Sequence, residues 1–408
     1  MHAPNPIGTL LKLERIKQNK GQKEVCYGIC VPSYLSKIEH GSVTPDEEIV
    51  EKLFRRLGIS YEGNRPEFTV YGEEIEKYFY ALHYRLDTKS QYTLLLKHDL
   101  QLSYSALAID WLLIKGLEGE QVSPQLKPLR ENMSAKQRAY DTFLRFDEYT
   151  DSGQRVLDIE EAFGAVNNSF AMLRLCMAYF LHGDYSSIHR MESRIVAMAL
   201  EEGNTFSLAE YYLFNGSAYA CLGMEEMMMT NYSRAIRLLQ NTGWKEELWG
   251  VYYNIGSTYI NLNNYGLALE YLQKSQEMRK TPEFLTLHKL AITYIRSNRL
   301  KEGRDYLKQM EEMLLSSQTD SGLEHLIYEE ALMECQKGFP EKAFLGDPKY
   351  LELLERLITV LKRERHFGFL YFYKDMVVEA YKKQRKYKQA LEFEQEISSK
   401  ITNERSKQ

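Results

Sequence analysis

The sequence predicts an all-α protein, with four short helices at the N-terminus followed by a long stack of helix pairs. Three observations support this fold class. Apolar residues recur at helical spacing through most of the 408 residues. Only ten prolines interrupt that pattern. Similar segments also recur about 40 residues apart in the second half of the chain, which is typical of helical repeat proteins.

The composition is that of a soluble globular protein in a reducing compartment. Hydrophobic residues make up 44% of the chain, and its 30 tyrosines need a packed interior. The five cysteines are scattered, which favours a reducing cytosol over a disulfide framework. The N-terminus shows no signal-peptide pattern and no window contains 18 apolar residues in succession. We therefore expect a cytoplasmic protein with no membrane partner.

The first two helices are predicted from apolar periodicity. In residues 7–19 the apolar positions, which include Ile16, suit one helical face with Lys and Arg on the opposite side. Residues 21–29 form a second short helix that Gly21 opens, since glycine is tolerated at an N-cap.

The third and fourth helices carry clear start and stop signals. Pro32 suits the first helical position because its missing N–H has no partner there, and Gly41 ends the third helix. Thr44 is the predicted N-cap of the fourth helix, with Pro45 at its first position and acidic residues in its first turn. Its buried stripe is expected to consist of Ile49, Val50, Leu53 and Leu57.

The segment "QKEVCYGICVPSYLSKIEHG" (22–41) resembles the helix-turn-helix DNA-binding domain of the XRE/Cro family of regulators. The resemblance implies that Pro32–Glu39 is the recognition helix, and that Arg15 and Glu39 form an ion pair between the first and third helices. It places Ser33, Lys37 and Pro32 at base-reading positions in the major groove of operator DNA. The full set of implied DNA-contacting residues is Gln22, on a phosphate, and Pro32, Ser33, Tyr34, Ser36 and Lys37. The alternative is that these polar side chains form an ordinary solvated face, or, for Tyr34, that it packs on its own domain.

Two departures from the family pattern limit the expected strength of DNA binding. Gly21 stands where the family usually has Thr or Ser, and Pro32 replaces a long polar reader. Residues 1–44 also hold six Lys or Arg against three acids, a surplus of three. Because phosphate contacts dominate affinity, one such domain should bind weakly and in a salt-sensitive way. We therefore expect a homodimer on a two-fold operator.

The rest of the chain divides by composition and repeat register. Residues 1–62 are expected to be the DNA-binding domain, and the turn-forming stretch 63–72 a linker. Residues 73–165 are expected to form irregular helix pairs, and residues 166–408 a regular repeat domain.

The repeats are defined by small residues and tyrosines at matching positions. "YYLFNGSAYACLG" (211–223) aligns with "VYYNIGSTYINLN" (251–263), and the alignment matches Gly216 with Gly256 and Tyr219 with Tyr259. A small residue lets the partner helix pack closely. The unit at 252–275 resembles a tetratricopeptide repeat, which implies a right-handed superhelix with a concave groove.

An XRE-type domain joined to a tetratricopeptide array resembles the RRNPP family of peptide-pheromone receptors of Gram-positive bacteria. The resemblance implies a quorum-sensing transcription regulator. A short signalling peptide would bind in the groove and change how the paired DNA-binding domains are held.

Groove-lining residues are expected on the first helix of each repeat. Asn254 is the principal candidate because an amide can pair with both the N–H and the C=O of an extended peptide; the alternative is a solvated or internally bonded side chain. The cations Arg174, Lys289 and Arg296 are expected to meet a carboxylate, unless they are ordinary surface cations. The remaining candidates are Ser217, Tyr253, Ser257 and Asn261.

The sequence contains no motif for an enzyme, a metal site or a cofactor: it has no glycine-rich phosphate loop, nucleophile elbow, HExxH motif or cluster of Cys and His at ligand spacing. A different class of function stays open. The array is also typical of a protein-interaction scaffold, or of a Rap-like inhibitor of response regulators, with a minor DNA-binding role.

Overall fold

The computed structural model describes residues 6–61, 66–145, 152–164, 166–240, 242–316, 322–339, 342–363 and 367–402. Within these ranges the chain is helical and contains no β-strand, so the all-α prediction is confirmed. None of the helices in these ranges has the length and apolar character needed to cross a membrane. The chain divides into two compact units, Met1–Leu175 and Cys176–Gln408.

The first unit consists of short helices. They are α1 (Ile7–Lys17), α2 (Gln22–Cys26), α3 (Pro32–Glu39), α4 (Glu47–Arg56), α5 (Pro66–His83), α6 (Lys89–Leu96), α7 (Asp99–Ser103), α8 (Ala108–Leu117), α9 (Ser123–Leu126), α10 (Ala135–Leu144), α11 (Ser152–Gly164) and α12 (Ser169–His182), the last of which continues past the end of the unit. A 3₁₀ turn at Lys127–Asn132 follows α9.

Two details of the predicted N-terminal helices were wrong. Ile16 is 52% exposed, because it lies nine residues after Ile7, which at 100° per residue places it on the opposite side of α1. Asp46, not Thr44, occupies the N-cap of α4, so Pro45 precedes the helix. The predicted acidic first turn is present as Glu47 and Glu48.

One apolar core joins α1–α4 to the helices that follow. Leu11, Leu53 and Phe54 belong to the same buried cluster as Leu102 and Trp111. This shared core crosses the predicted domain boundary, because much of residues 73–165, which were expected to form irregular helix pairs of the array, packs with the N-terminal helices. Residues 66–72 of the expected linker are the first turns of α5, which Pro66 begins; residues 62–65 lie outside the described part of the chain.

The second unit is built from helix pairs. Its helices are α13 (Tyr185–Arg190), α14 (Glu192–Glu201), α15 (Thr205–Cys221), α16 (Glu225–Leu239), α17 (Lys245–Asn261), α18 (Tyr265–Glu277), α19 (Phe284–Arg296), α20 (Leu300–Ser316), α21 (Gly322–Lys337), α22 (Pro348–Arg363), α23 (Phe367–Lys383) and α24 (Tyr387–Thr402). From α15 onward each odd-numbered helix packs against the next even-numbered one, and α15, α17, α19 and α21 also contact each other in order.

The repeat register predicted from small residues is visible in this packing. A Cβ on Gly216 would lie 2.7 Å from the ring of Tyr232, and one on Gly256 would lie 2.6 Å from Leu272. Each glycine therefore sits where the two helices of a pair approach most closely. The residue seven positions after Cys176, Gly216, Gly256 and Ala291 has a left-handed backbone conformation in each case: Gly183, Gly223, Asn263 and Asn298.

Candidate DNA-binding face and candidate ligand groove

Helix α3 is fixed in the first unit by its apolar side and by a close approach to α1. Leu35 and Ile38 are 0% and 2% exposed. Gly8 of α1 lies so close to α3 that an added Cβ would be 1.9 Å from the carbonyl oxygen of Ile38. Since real Cβ contacts lie well beyond that distance, only glycine fits here. This requirement was missed in the sequence, where Gly8 carries no turn or cap signal.

A partly buried ion pair joins α1 to α3, and a hydrogen bond from α2 reaches the same carboxylate. The Nε and Nη2 atoms of Arg15 donate to the two carboxylate oxygens of Glu39 at 2.6 and 2.9 Å, as the XRE resemblance implied. Gln22 Nε2 donates to the same carboxylate at 2.8 Å. The hydrogen bond to Glu39 raises the pKa of Arg15. An amide nitrogen has two hydrogens, so Gln22 keeps one donor for another acceptor such as a phosphate.

The opposite side of α3 is open to solvent. Pro32, Ser33 and Lys37 are exposed, and Ser36 is half-buried. Tyr34 is half-buried against the apolar core of its own unit, which favours the packing alternative for this residue. The helix therefore presents short polar side chains and one cation along a face that nothing in the described part of this unit covers.

Two exposed apolar residues beside α3 were not predicted from the sequence. Tyr27 is 79% exposed and Val31 is 61% exposed, in the turn that connects α2 to α3. Gly28 in this turn has φ +71°, a conformation that glycine adopts without strain. The signal in the sequence was an aromatic residue directly before a glycine in the turn of a helix-turn-helix.

In the second unit, a cavity of about 390 Å³ lies between α15, α17, α19 and α23. Six of the eight residues predicted to line a groove do line it: Ser217, Tyr253, Asn254, Ser257, Asn261 and Lys289. The sequence did not indicate the apolar part of the wall, which is formed by Phe180, Leu181, Leu213, Phe214, Phe369, Tyr371 and Phe372.

The polar groups that α15 and α17 contribute to the cavity differ in how many of their hydrogen bonds are already made within the protein. Within the described ranges, the side-chain amides of Asn254 and Asn261 make no hydrogen bond, so their donors and acceptors are open. The hydroxyl of Tyr253 is buried without a partner, while its ring stacks on Trp249 with centroids 5.5 Å apart. Burial raises the pKa of Tyr253, so this hydroxyl stays protonated. By contrast, Ser217 Oγ is 2.9 Å from the carbonyl oxygen of Leu213, to which it donates.

The two predicted arginines do not line the cavity. Arg174 belongs to the first unit, where its guanidinium lies 4.9 Å from the ring centroid of Phe170. Arg296 donates from Nε and Nη2 to the carboxylate of Glu334 at 3.1 and 2.7 Å. Both residues were expected to meet a ligand, and each instead has a contact within the protein.

Lys289 is the one basic residue in the described wall of the cavity. The side chain is 1% exposed, and its Nζ atom has no hydrogen-bond partner. Nζ lies 2.8 Å from the ring centroid of Phe372 and 4.5 Å from that of Phe369. Burial, together with the nearby charge of Arg296, lowers the pKa of Lys289 well below its usual value.

Two family models match the sequence. A helix-turn-helix model matches residues 11–64, and a tetratricopeptide-repeat model matches residues 250–282. The chain carries a helix-turn-helix and a tetratricopeptide repeat. Both parts of the resemblance noted in the sequence are confirmed. The helix-turn-helix match contains α2 and α3, and the repeat match contains Tyr253, Asn254, Ser257 and Asn261.

Several solved structures are similar to this chain at low identity. The apo form of the competence regulator ComR from Streptococcus vestibularis is 16% identical, over 74% of this chain and 99% of ComR, with a TM-score of 0.33. The PrgX/iCF10 complex is 15% identical, over 98% and 97% of the two chains, with a TM-score of 0.32. Bacillus thuringiensis PlcR in complex with the peptide PapR7 and DNA is 12% identical, over 77% of this chain and 100% of PlcR, with a TM-score of 0.26. No curated protein sequence matches the chain.

Proposed function

We propose that the protein is a cytoplasmic quorum-sensing transcription regulator of the RRNPP type, which binds operator DNA as a homodimer and is switched by a short signalling peptide. The observation that carries this proposal is the cavity of the repeat unit. Six side chains chosen from the repeat pattern line it together, in a chain that also carries an exposed helix-turn-helix recognition helix.

The proposed DNA contacts come from α3 and its neighbours. Ser33 and Lys37 face solvent on the exposed side of α3, where they can reach base edges in the major groove. Gln22 has one amide donor left for a phosphate. Because the surplus of positive charge near α3 is small, two copies are needed to hold an operator firmly.

The proposed peptide contacts come from the two open amides of α17. Asn254 and Asn261 are seven residues apart, which is about 10 Å along a helix that rises 1.5 Å per residue. An extended peptide covers about 10 Å with three residues. The two amides therefore bracket a stretch of three residues and pair with its backbone, while the apolar wall holds its side chains.

Switching requires that the peptide bind one arrangement of the dimer more tightly than another. A ligand shifts an equilibrium only by its differential affinity for the two states. In this proposal the peptide has no contact with DNA, and its effect on the operator passes through the repeat unit.

Two substitutions test the two sites separately. An operator is first selected from random duplexes with the full-length protein, and peptide ligands are selected from a synthetic heptapeptide library. Lys37→Ala should weaken operator binding about tenfold, a loss typical of one base or phosphate contact. Lys308→Ala, an equal charge change in α20, should leave it unchanged. Asn254→Ala should bind the operator normally but lose peptide affinity in calorimetry.

For each of the two proposed sites, one result would contradict the proposal. Normal peptide affinity of Asn254→Ala would show that the groove residues are misassigned. If the wild-type protein selects no duplex over random DNA at any salt concentration, the chain is not an operator-binding regulator. The scaffold alternative would then be preferred.

A further inference from the structure

The buried amino group of Lys289 needs an explanation that the peptide amides of α17 do not provide. Lysine is almost never fully buried unless it is paired, because removing a charge from water is costly. Lys289 is 1% exposed, lines the cavity, and has no hydrogen-bond partner. Within the described residues its Nζ atom lies against the faces of aromatic rings, and Glu330 and Glu334 attract it electrostatically without a hydrogen bond.

The acidic residues nearest to Lys289 are already engaged elsewhere. On α21, Glu334 pairs with Arg296 through two hydrogen bonds. Glu330 accepts a hydrogen bond from Tyr350 on α22 at 2.7 Å and one from Tyr373 on α23 at 3.3 Å. Burial and the charge of Glu334 raise the pKa of Glu330 well above its usual value, so the surroundings favour the neutral form of this carboxyl group. In the described part of the unit, neither glutamate therefore forms a hydrogen bond with Lys289, although the charges of both oppose the lowering of its pKa.

The remaining groups around Lys289 add no negative charge. His288, its neighbour on α19, is fully buried, and burial lowers its pKa well below the usual value, so the imidazole is neutral. The contacts from α23 are the rings of Phe369, Phe372 and Tyr373. An aromatic face attracts a cation, but more weakly than a carboxylate does.

We propose that Lys289 anchors a carboxylate of the bound peptide. The groove then selects short, otherwise apolar peptides that place one carboxylate beside Lys289. The inference rests on the proposed peptide-binding function and names the class of peptide. Lys289 aligns with Asn254 in the repeat register, 35 residues later. The anchored carboxylate therefore lies level with Asn254, and the rest of the peptide runs toward Asn261. Either the C-terminal carboxylate or an Asp or Glu side chain has the required chemistry.

The proposed contact has a proton-linkage signature. Burial lowers the pKa of Lys289 in the ligand-free protein, and a carboxylate beside the amino group raises it again. Binding is therefore coupled to proton uptake, and peptide affinity falls as the pH rises. His288, Arg296, Glu330 and Glu334 surround the same group, so the linkage is assigned to Lys289 only if it disappears with that residue.

The experiment uses the full-length protein and four heptapeptide pools of equal apolar composition. The pools have a free C-terminus or a C-terminal amide, and each of these is made with or without one Asp or Glu. The wild type should retain pools that contain a carboxylate at least tenfold better than the amidated pool without acid. Lys289→Met should lose this preference, and Lys301→Met, the same change on the exposed start of α20, should keep it. Lys289→Gln repeats the test if the Met variant does not fold.

Calorimetry on the best retained peptide gives the second measurement. For the wild type, the observed enthalpy should differ between phosphate and Tris buffer, because a proton is taken up; for the Lys289 variants it should not. If the amidated, acid-free pool is retained as well as the others, by wild type and variant alike, the carboxylate anchor is refuted while peptide binding stands. If no pool is retained at all, the proposed peptide-binding function fails, and the anchor with it.

Discussion

Replacing Gly8 by alanine should loosen the recognition helix. The added Cβ would lie 1.9 Å from the carbonyl oxygen of Ile38, whereas ordinary contact begins near 3.4 Å. Helices α1 and α3 would have to separate by about 1.5 Å. Because the opposing atom belongs to the backbone of a buried helix, we take about 3 kcal/mol, the upper end of the usual overpacking cost. Up to about 1 kcal/mol returns from the higher helix propensity of alanine. The net loss is about 2 kcal/mol.

Hydrogen-exchange mass spectrometry on the full-length protein measures this loss locally. A loss of about 2 kcal/mol should speed exchange of the α1 and α3 amides roughly 30-fold. Amides of α15, in the second unit, serve as the internal reference. Gly72→Ala is the matched control, since a Cβ on Gly72 in α5 would meet nothing within 4 Å and should slow exchange slightly. Unchanged or slower exchange of α3 in Gly8→Ala would refute the close approach of the two helices.

Three further predictions test the ion pair, the repeat packing and the buried lysine. Glu39→Gln should destabilise the first unit by about 2 kcal/mol, since Arg15 loses a charged hydrogen-bond partner, as faster α3 exchange would show. Gly256→Ala should cost about 1–2 kcal/mol in urea denaturation because its Cβ meets the buried side chain of Leu272, while Gly250→Ala on the same helix meets nothing and should be neutral or stabilising. In the wild type, the free energy of unfolding should rise with pH toward about 10.4, the pKa of lysine in an unfolded chain, by at most about 1.4 kcal/mol per pH unit. The reason is that the folded state, in which the pKa of Lys289 is lowered, binds fewer protons there than the unfolded state. In Lys289→Met the free energy of unfolding should rise less with pH. If urea titrations at pH 7 and pH 9 give the same rise for the wild type and for Lys289→Met, the assignment to Lys289 is contradicted.

Much of the fold was predictable because its signals are local. Helix periodicity depends on neighbours three and four residues apart, and in four repeats the turn contains a Gly or Asn seven residues after a small residue. The candidate groove residues of α17 were found for the same reason. They lie on one helix, and their spacing alone places them on one face.

The features that the sequence did not show depend on contacts between distant segments. The sequence showed that residues 73–165 are helical but not that they share a core with α1–α4, because that core joins Phe54 to residues far along the chain, such as Trp111. In the sequence, Arg296 and Lys289 were both predicted to line the groove as cations. Only the packing of α21 against α19 shows that Glu334 pairs with Arg296 and leaves the amino group of Lys289 without a hydrogen-bond partner among the described residues.

The sequence by itself determined that this protein is helical, that it carries a helix-turn-helix, and that its repeats place two asparagines along one helix. The tertiary structure decided which charges are neutralised inside the protein and which one faces the cavity. The physical reason is that helix formation is governed by near neighbours. The state of a buried charge depends instead on every group that folding brings within a few ångströms of it, whatever its distance along the chain.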